Sequence, residues 1–327
     1  RSRGLGDVYK RQTLSLTTTY AGESAAKWVH ASLLSGNTLA NGGMTILPNV
    51  AYKQVLHKLS TDALLKDATC DFTATSTVTI TERTLTLEQF QVNVQLCKKD
   101  FLTSWQSAEM GFSAHKVMAK SFQDYFLAYM ADKVSSAVET SIWQGANATA
   151  GQVDGICTLL TTDAALPTAN EVAGTTVTAS NVITELGKIV DAIPAALYGK
   201  EDLRIFVPQN IARAYVRALG GFGSSGLGAN GTDNKGTQWY SMMNDLYFDG
   251  VKLFVANGLA NNVAIATSID NLYFGCGLLA DLNEVKVIDM ADIDGSQNVR
   301  YVLRAGMGVN YANVEDIVTY GITNSAN

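Results

Sequence analysis

Residues 71–97 read DFTATSTVTITERTLTLEQFQVNVQLC. Thr73, Thr75, Thr77 and Thr79 alternate with Phe72, Ala74, Ser76, Val78 and Ile80. After Thr81-Glu82-Arg83-Thr84, a second run sets Phe90, Val92, Val94 and Leu96 against Gln91, Asn93, Gln95 and Cys97. A period of two, rich in threonine and β-branched residues, specifies strands with one wetted face. The polar tetrad between the runs predicts a turn, and with it a long hairpin. An isolated hairpin is marginal in water, so this one needs a surface to lie against.

Outward from this stretch, residues 114–144 predict one long helix. Phe122, Phe126, Met130, Val134, Val138 and Ile142 recur at every fourth position. Asp124, Lys133, Glu139 and Gln144 lie off that stripe. Ser113 is placed to cap the start and Gly145 to end the helix. At about 1.5 Å per residue the rod is roughly 46 Å long. A four-residue spacing drifts around a helix of 3.6 residues per turn, so the stripe must meet more than one neighbour.

On the N-terminal side, residues 22–35 predict a short helix with Ala25, Trp28, Val29 and Leu33 on one face. Met44 to Tyr52 reads as extended, with Pro48 at a strand end or sheet edge. On the C-terminal side, residues 146–178 read as loops with short strands. Ser180 is placed to cap a helix carrying Val182, Leu186, Ile189 and Ile193, stopped at Pro194. Leu203–Val207 reads as a strand and Gln209–Leu219 as a helix. Helix, strand and helix in that order predict a compact α/β subdomain. Residues 220–236 are glycine-rich, and strands follow at 252–255, 262–266 and 271–275. A second long hairpin closes the chain. It has an arm at 284–289, an acidic turn at Asp292–Gly295, and a return carrying Val299, Tyr301, Leu303, Ala305, Met307 and Val309 on one face.

The 327 residues are 17% charged and 47% hydrophobic, with a formal net charge of −6. Soluble domains carry about 25% charged residues, so the surface open to water is small for the chain's size. Buried contact with other chains would account for that. The composition is too apolar for a disordered chain, and no apolar run approaches the roughly 18 residues of a membrane span. The acidic balance argues against a general nucleic-acid binder, which needs a basic face. Residues 1–12 hold four basic residues and one acidic residue. They read as a sequencing-adaptor remnant rather than part of the fold, which leaves the true N-terminus open.

The chemical motifs are weak. Cys70, Cys97, Cys157 and Cys276 form no C-x-x-C, and His30, His57 and His115 form no H-E-x-x-H. Zinc, redox and disulfide-framework readings therefore have no support, and buried free thiols are expected. Gly221-Phe222-Gly223-Ser224-Ser225-Gly226 matches G-x-G-x-x-G. The dinucleotide mechanism needs a strand before that loop and a helix after it. Here a helix precedes it and a polar run follows. Lys235 is followed by Gly236, so there is no Walker loop. Asp289, Asp292 and Asp294 lack calcium-loop spacing and read as a solvated turn.

The order of these elements resembles the major capsid protein of tailed bacteriophages, the Hong Kong 97 (HK97-like) fold, from about Thr13 to about Ile322. The resemblance implies an α+β subunit. Its N-terminal arm and lead-in strand would be residues 13–65, with Met44-Thr45-Ile46-Leu47-Pro48-Asn49-Val50 as the strand. Residues 66–100 would be the extended β-hairpin, or E-loop. Residues 101–165 would begin the peripheral (P) domain, with the spine helix at 114–144. Residues 166–270 would form the axial (A) domain, 271–310 the P-domain's long strands and hairpin, and 311–327 the return to the A-domain.

The function implied is a structural subunit of an icosahedral head, without catalysis, cofactor or metal. It would self-assemble into hexamers and pentamers around packaged double-stranded DNA, without sequence-specific binding. Scaffolding and portal proteins would be its other partners, and no membrane is involved. Its place would be the virion capsid, assembled in the host bacterial cytoplasm. Expected inter-subunit contacts are Thr75, Thr77, Glu82, Arg83 and Thr84 of the E-loop, Asp292 and Asp294 of the P-domain turn, and Phe222 and Leu227 of the A-domain loop. Some members crosslink through a Lys–Asn isopeptide bond, but no position here is matched to it. Two other readings remain in view: an α/β enzyme holding a nucleotide at Gly221–Gly226, and an extracellular threonine-rich adhesin or surface-layer protein.

Overall fold

The computed structural model describes residues 36–61, 63–68, 70, 74, 76–101, 120–220, 246–277 and 286–326. Two sheets and a projecting two-stranded ribbon organise them. The first sheet is built on β12 (Asn298–Tyr311), a 14-residue strand on the order of 45 Å long. Along one side β12 pairs antiparallel with β4 (Glu88–Cys97), from Asn298↔Cys97 to Met307↔Glu88. Along the other it pairs with β11 (Lys286–Asp289) and with β10 (Leu272–Cys276). β1 (Thr45–Leu47) lies parallel to β10 and ends just before Pro48. The face predicted for β12 is the buried one: Val299, Tyr301, Leu303, Ala305, Met307 and Val309 all lie in the interior.

Helix α1 (Lys120–Gln144) lies over this sheet, and Gly145 follows its last residue. Residues 113–119, including the expected cap Ser113, fall outside the described residues, as does the helix expected at 22–35. The drift of the stripe has its predicted consequence. Phe126 and Met130 pack with Val299 and Tyr301 in one cluster, with the Phe126 and Tyr301 rings 4.8 Å apart. Val138, Ile142 and Trp143 belong to a second, larger core.

The second sheet has six strands in the order β5-β13-β9-β6-β8-β7. These are β5 (Glu171–Val172), β6 (Leu203–Val207), β7 (Leu246–Phe248), β8 (Val251–Val255), β9 (Ala264–Ser268) and β13 (Val318–Tyr320). A short helix, α2 (Ile156–Leu160), follows α1. Helices α3 (Val182–Asp191) and α4 (Gln209–Gly220) pack on the second sheet. Asn181, rather than the expected Ser180, holds the cap position of α3. β6 alternates between two cores. Leu203, Ile205 and Val207 meet α3 and α4, while Phe206 turns to Trp143 and Phe254, with ring centroids at 5.1 and 5.3 Å.

The hairpin predicted from 72–80 and 90–97 does not form in that register. β3 (Val78–Thr86) pairs with β2 (Lys53–Thr61), from Lys53↔Thr86 to Thr61↔Val78, while β4 pairs with β12. Thr81 to Thr84 is mid-strand, not a tip. That tetrad has no Gly, Asn, Asp or Pro to supply turn dihedrals, and its polar residues alternate between a wet face and the face on which Arg83 meets the body. The ribbon's reversal lies between Thr61 and Val78. Leu87 alone separates β3 from β4, and its N–H donates to the Tyr52 carbonyl (2.9 Å).

Where β3 leaves the body it crosses β10 and β12 at Gly275 and Gly308, which are register partners. A Cβ on Gly308 would lie 2.2 Å from the Thr86 carbonyl oxygen, and one on Gly275 would lie 2.5 Å from Leu85 Cδ2. This bare pair makes a notch into which Leu85 and Leu87 pack with Val50. Gly306, two residues along, has its nearest atom at 3.8 Å. Gly308→Ala is therefore expected to cost about 1–3 kcal/mol by overpacking against backbone, and Gly306→Ala little. Thermal melts of both variants check this, and equal midpoints would refute the notch.

Candidate assembly surface

Across an antiparallel pair, register partners project to the same side. One side of the ribbon carries Gln54, Leu56 and Lys58 with Leu85, Arg83 and Thr81; the other carries Val55, His57, Leu59 and Thr61 with Thr84, Glu82, Ile80 and Val78.

The first side is tied to the body. Arg83 donates to Asp163 Oδ2 at 2.7 Å, and its guanidinium lies 4.3 Å from the Tyr311 ring centroid. The Tyr311 hydroxyl donates to the same carboxylate oxygen at 2.7 Å, and the Ala165 N–H donates to the other at 3.0 Å. Lys58 Nζ donates to Asn313 Oδ1 (2.8 Å) and pairs with Glu315 (3.0 Å). Asn310 Nδ2 donates to the Thr84 carbonyl at 2.8 Å. Burial pushes the Asp163 carboxyl up. The Tyr311 hydroxyl, the Ala165 N–H and the Arg83 guanidinium outweigh it and hold the group below the usual carboxylate range. Burial and the bond to Asp163 push the Tyr311 phenol up.

The second side faces away from the body. Leu59 is 66% exposed, Ile80 61% and Val78 56%, with Val55 also exposed. These make an apolar strip crossed by one polar pair, His57 Nδ1 to Glu82 Oε1 at 3.6 Å. Leu64 and Leu65, beyond the strands, are exposed as well.

The expected contact residues divide accordingly. Glu82 and Thr84 lie on the outward strip, and Thr77 is exposed just before β3. Arg83 lies on the inward side, engaged by its own chain. Thr75, Phe222 and Leu227 lie outside the described residues, as do the Gly221–Gly226 loop and the side chain of Asp292. Asp294 ends a single helical turn, Ala291–Asp294, and accepts the Ser296 N–H at 2.9 Å. Ile293 in that turn is exposed. Asp289 pairs with Lys98, tying β11 to the end of β4. Leu59 and Val55 were missed by the sequence reading. The signal was an alternation over 53–61 like that of 78–86, broken by His57 and Lys58.

One buried node was also missed. Glu139 was placed off the helix stripe, yet it is 1% exposed. Its carboxylate accepts the Thr38 N–H (3.0 Å), the Thr38 hydroxyl (2.6 Å) and the Gly258 N–H (3.3 Å). Trp143 Nε1 donates to Thr38 Oγ1 at 2.9 Å.

Among the described residues, no group of three or more His, Cys, Asp or Glu side chains could hold a metal ion. None of the described helices is long and apolar enough to cross a membrane. All four cysteines are free; of the expected buried thiols only Cys276 is buried, Cys97 and Cys157 are half-buried, and Cys70 is exposed. Burial pushes the Cys157 thiol up to about 12, which keeps it protonated and unreactive near neutrality.

No protein-family model and no curated protein matches the chain. Solved structures do. The capsid of a native GTA particle, computed with C5 symmetry, superposes with a TM-score of 0.60 at 13% identity, over 98% of this chain and 100% of that one. The capsid of Myoviridae phage XM1 gives 0.57 at 12% identity, over 90% and 94%. A structure from Mycobacterium phage Adephagia gives 0.54 at 16% identity, over 98% and 99%. At such identities the likeness is one of fold. The chain is an α+β protein with the architecture of phage capsid subunits, across nearly its whole length. That architecture is the HK97-like fold its element order resembles.

The Asp163 carboxylate sets a pH dependence. Its folded value is depressed, so its contribution is complete above the unfolded value near 3.9 and is lost as pH falls through the folded one. Asp163→Asn should cost about 2 kcal/mol at pH 7, the scale of a charged hydrogen-bond partner. It should also flatten the fall in melting temperature between pH 5 and pH 3. Parallel curves for variant and wild type would contradict the assignment.

Proposed function

We propose that this chain is the structural subunit of an icosahedral bacteriophage head. The observation that carries this reading is the likeness of fold to phage capsids over nearly the whole chain. An outward apolar strip on a projecting ribbon supports it. The ribbon β2–β3 serves as the extended loop, displaced toward the N-terminus from the expected 66–100. The sheet around β12, with α1, serves as the peripheral domain and the six-stranded sheet as the axial domain.

Subunits of this kind associate by many modest interfaces repeated by symmetry. Hexamers and pentamers enclose packaged double-stranded DNA without reading its sequence. Scaffolding and portal proteins act as partners, and assembly takes place in the host bacterial cytoplasm. The role has no catalytic step. The strip of Val55, Leu59, Val78 and Ile80 lies on a neighbouring copy, where burying it contributes about 25 cal/mol per Å² of apolar surface.

The other readings find less support. A nucleotide loop needs a strand running into Gly221, and α4 runs into it instead. A sandwich adhesin has no place for a 25-residue helix.

Purified protein, alone or with a scaffold, should form capsomers or shells visible by electron microscopy. Leu59→Asp with Ile80→Asp should abolish them while leaving the melting temperature of the dilute subunit within a few degrees, because both side chains are exposed there. A wild-type chain that stays monomeric at high concentration, with and without scaffold, would overturn the proposal.

A further inference from the structure

His57 and Glu82 are the only titratable pair that crosses the outward strip among the described residues. They occupy one register position of the ribbon, between the Val55–Thr84 and Leu59–Ile80 pairs. Lys53 shares that side, four register positions nearer the body, with its Nζ 5.4 Å from the Tyr52 ring. Lys58 and Arg83 lie on the opposite side, held by Glu315 and Asp163. No described element packs on the outward side.

We infer that docking of a second copy on this strip takes up a proton at the His57–Glu82 pair. The inference rests on the shell reading above and concerns how that contact is regulated. In the dilute subunit both side chains are more than half exposed, so water solvates Glu82 whether or not His57 is charged. Once a neighbour covers the strip, the pair loses that water. A carboxylate beside a neutral imidazole then carries an uncompensated buried charge, which is strongly unfavourable. A carboxylate beside an imidazolium is neutral overall. Wherever the dilute pair carries a neutral imidazole, docking therefore draws one proton from solvent per contact. The flanking apolar pairs make this possible, because they exclude the water that would otherwise screen Glu82.

By linkage, the docking constant then falls as pH rises, by up to about tenfold per unit and per contact. The experiment is the critical concentration for assembly of the full chain at pH 6, 7 and 8. It is measured by light scattering and sedimentation velocity at fixed ionic strength. Wild type should assemble at a critical concentration at least about threefold lower at pH 6 than at pH 8.

Glu82→Gln should lose that dependence or reverse it, because a covered neutral amide gives the imidazole no reason to charge. His57→Gln should assemble more weakly than wild type at pH 6, because the covered Glu82 then lacks its counter-charge. A wild-type critical concentration independent of pH, or the same dependence surviving in both variants, would overturn the inference and leave the shell reading intact. Failure of wild type to assemble at every pH would overturn both.

Discussion

Gly275 and Gly308 face each other across β10 and β12, and without a Cβ on either the ribbon could not leave the body where it does. The notch admits Leu85 and the backbone of Thr86 to van der Waals contact. That contact fixes the register at which β3 crosses the sheet. Because strand side chains alternate, fixing one residue fixes them all. With Leu85 inward, Arg83 must also be inward and Glu82 and Thr84 outward. Arg83 then reaches Asp163 and Tyr311, Lys58 reaches Glu315, and the apolar residues at alternate positions are left facing solvent. The exposed strip thus follows from a packing constraint at the ribbon's base.

A second constraint joins the two sheets. Trp143, Phe206 and Phe254 follow one another with tilted rings through the main core, and the Glu139 carboxylate beside them gathers donors from Thr38 and Gly258. A Cβ on Gly258 would lie 2.1 Å from the Glu139 carbonyl oxygen, so this approach again needs glycine. One helix therefore touches the segment before β1, the sheet around β12 and the loop after β8. A buried carboxylate is tolerable there because three hydrogen bonds replace its water.

Much of this was legible in the sequence. β6 and the buried face of β12 were read correctly, because apolar alternation between clear breakers leaves few options. The drift of the α1 stripe foretold two separate cores. Strand partners were not legible. Residues 78–86 and 90–97 are adjacent, alternate alike, and pair with different strands, one upstream and one about two hundred residues downstream. Local pattern reports that a strand has a wet face and does not report its neighbour. Glu139 was misplaced for a related reason: its donors come from 101 and 119 residues away. Of the expected contact residues, Glu82 and Thr84 face solvent and Arg83 faces the body, because a one-residue step along a strand changes the face.

In the proposed subunit the body around β12 stands alone, and another copy completes the outward strip. Peptide-level hydrogen exchange, on dilute subunit and on assembled particles, tests it directly. β12 and β4 are expected to exchange slowly in both states, while residues 55–61 and 78–82 exchange fast when dilute and slowly when assembled. Equal protection of the ribbon and β12 in the dilute subunit would contradict it, as would a ribbon that stays unprotected in the particle.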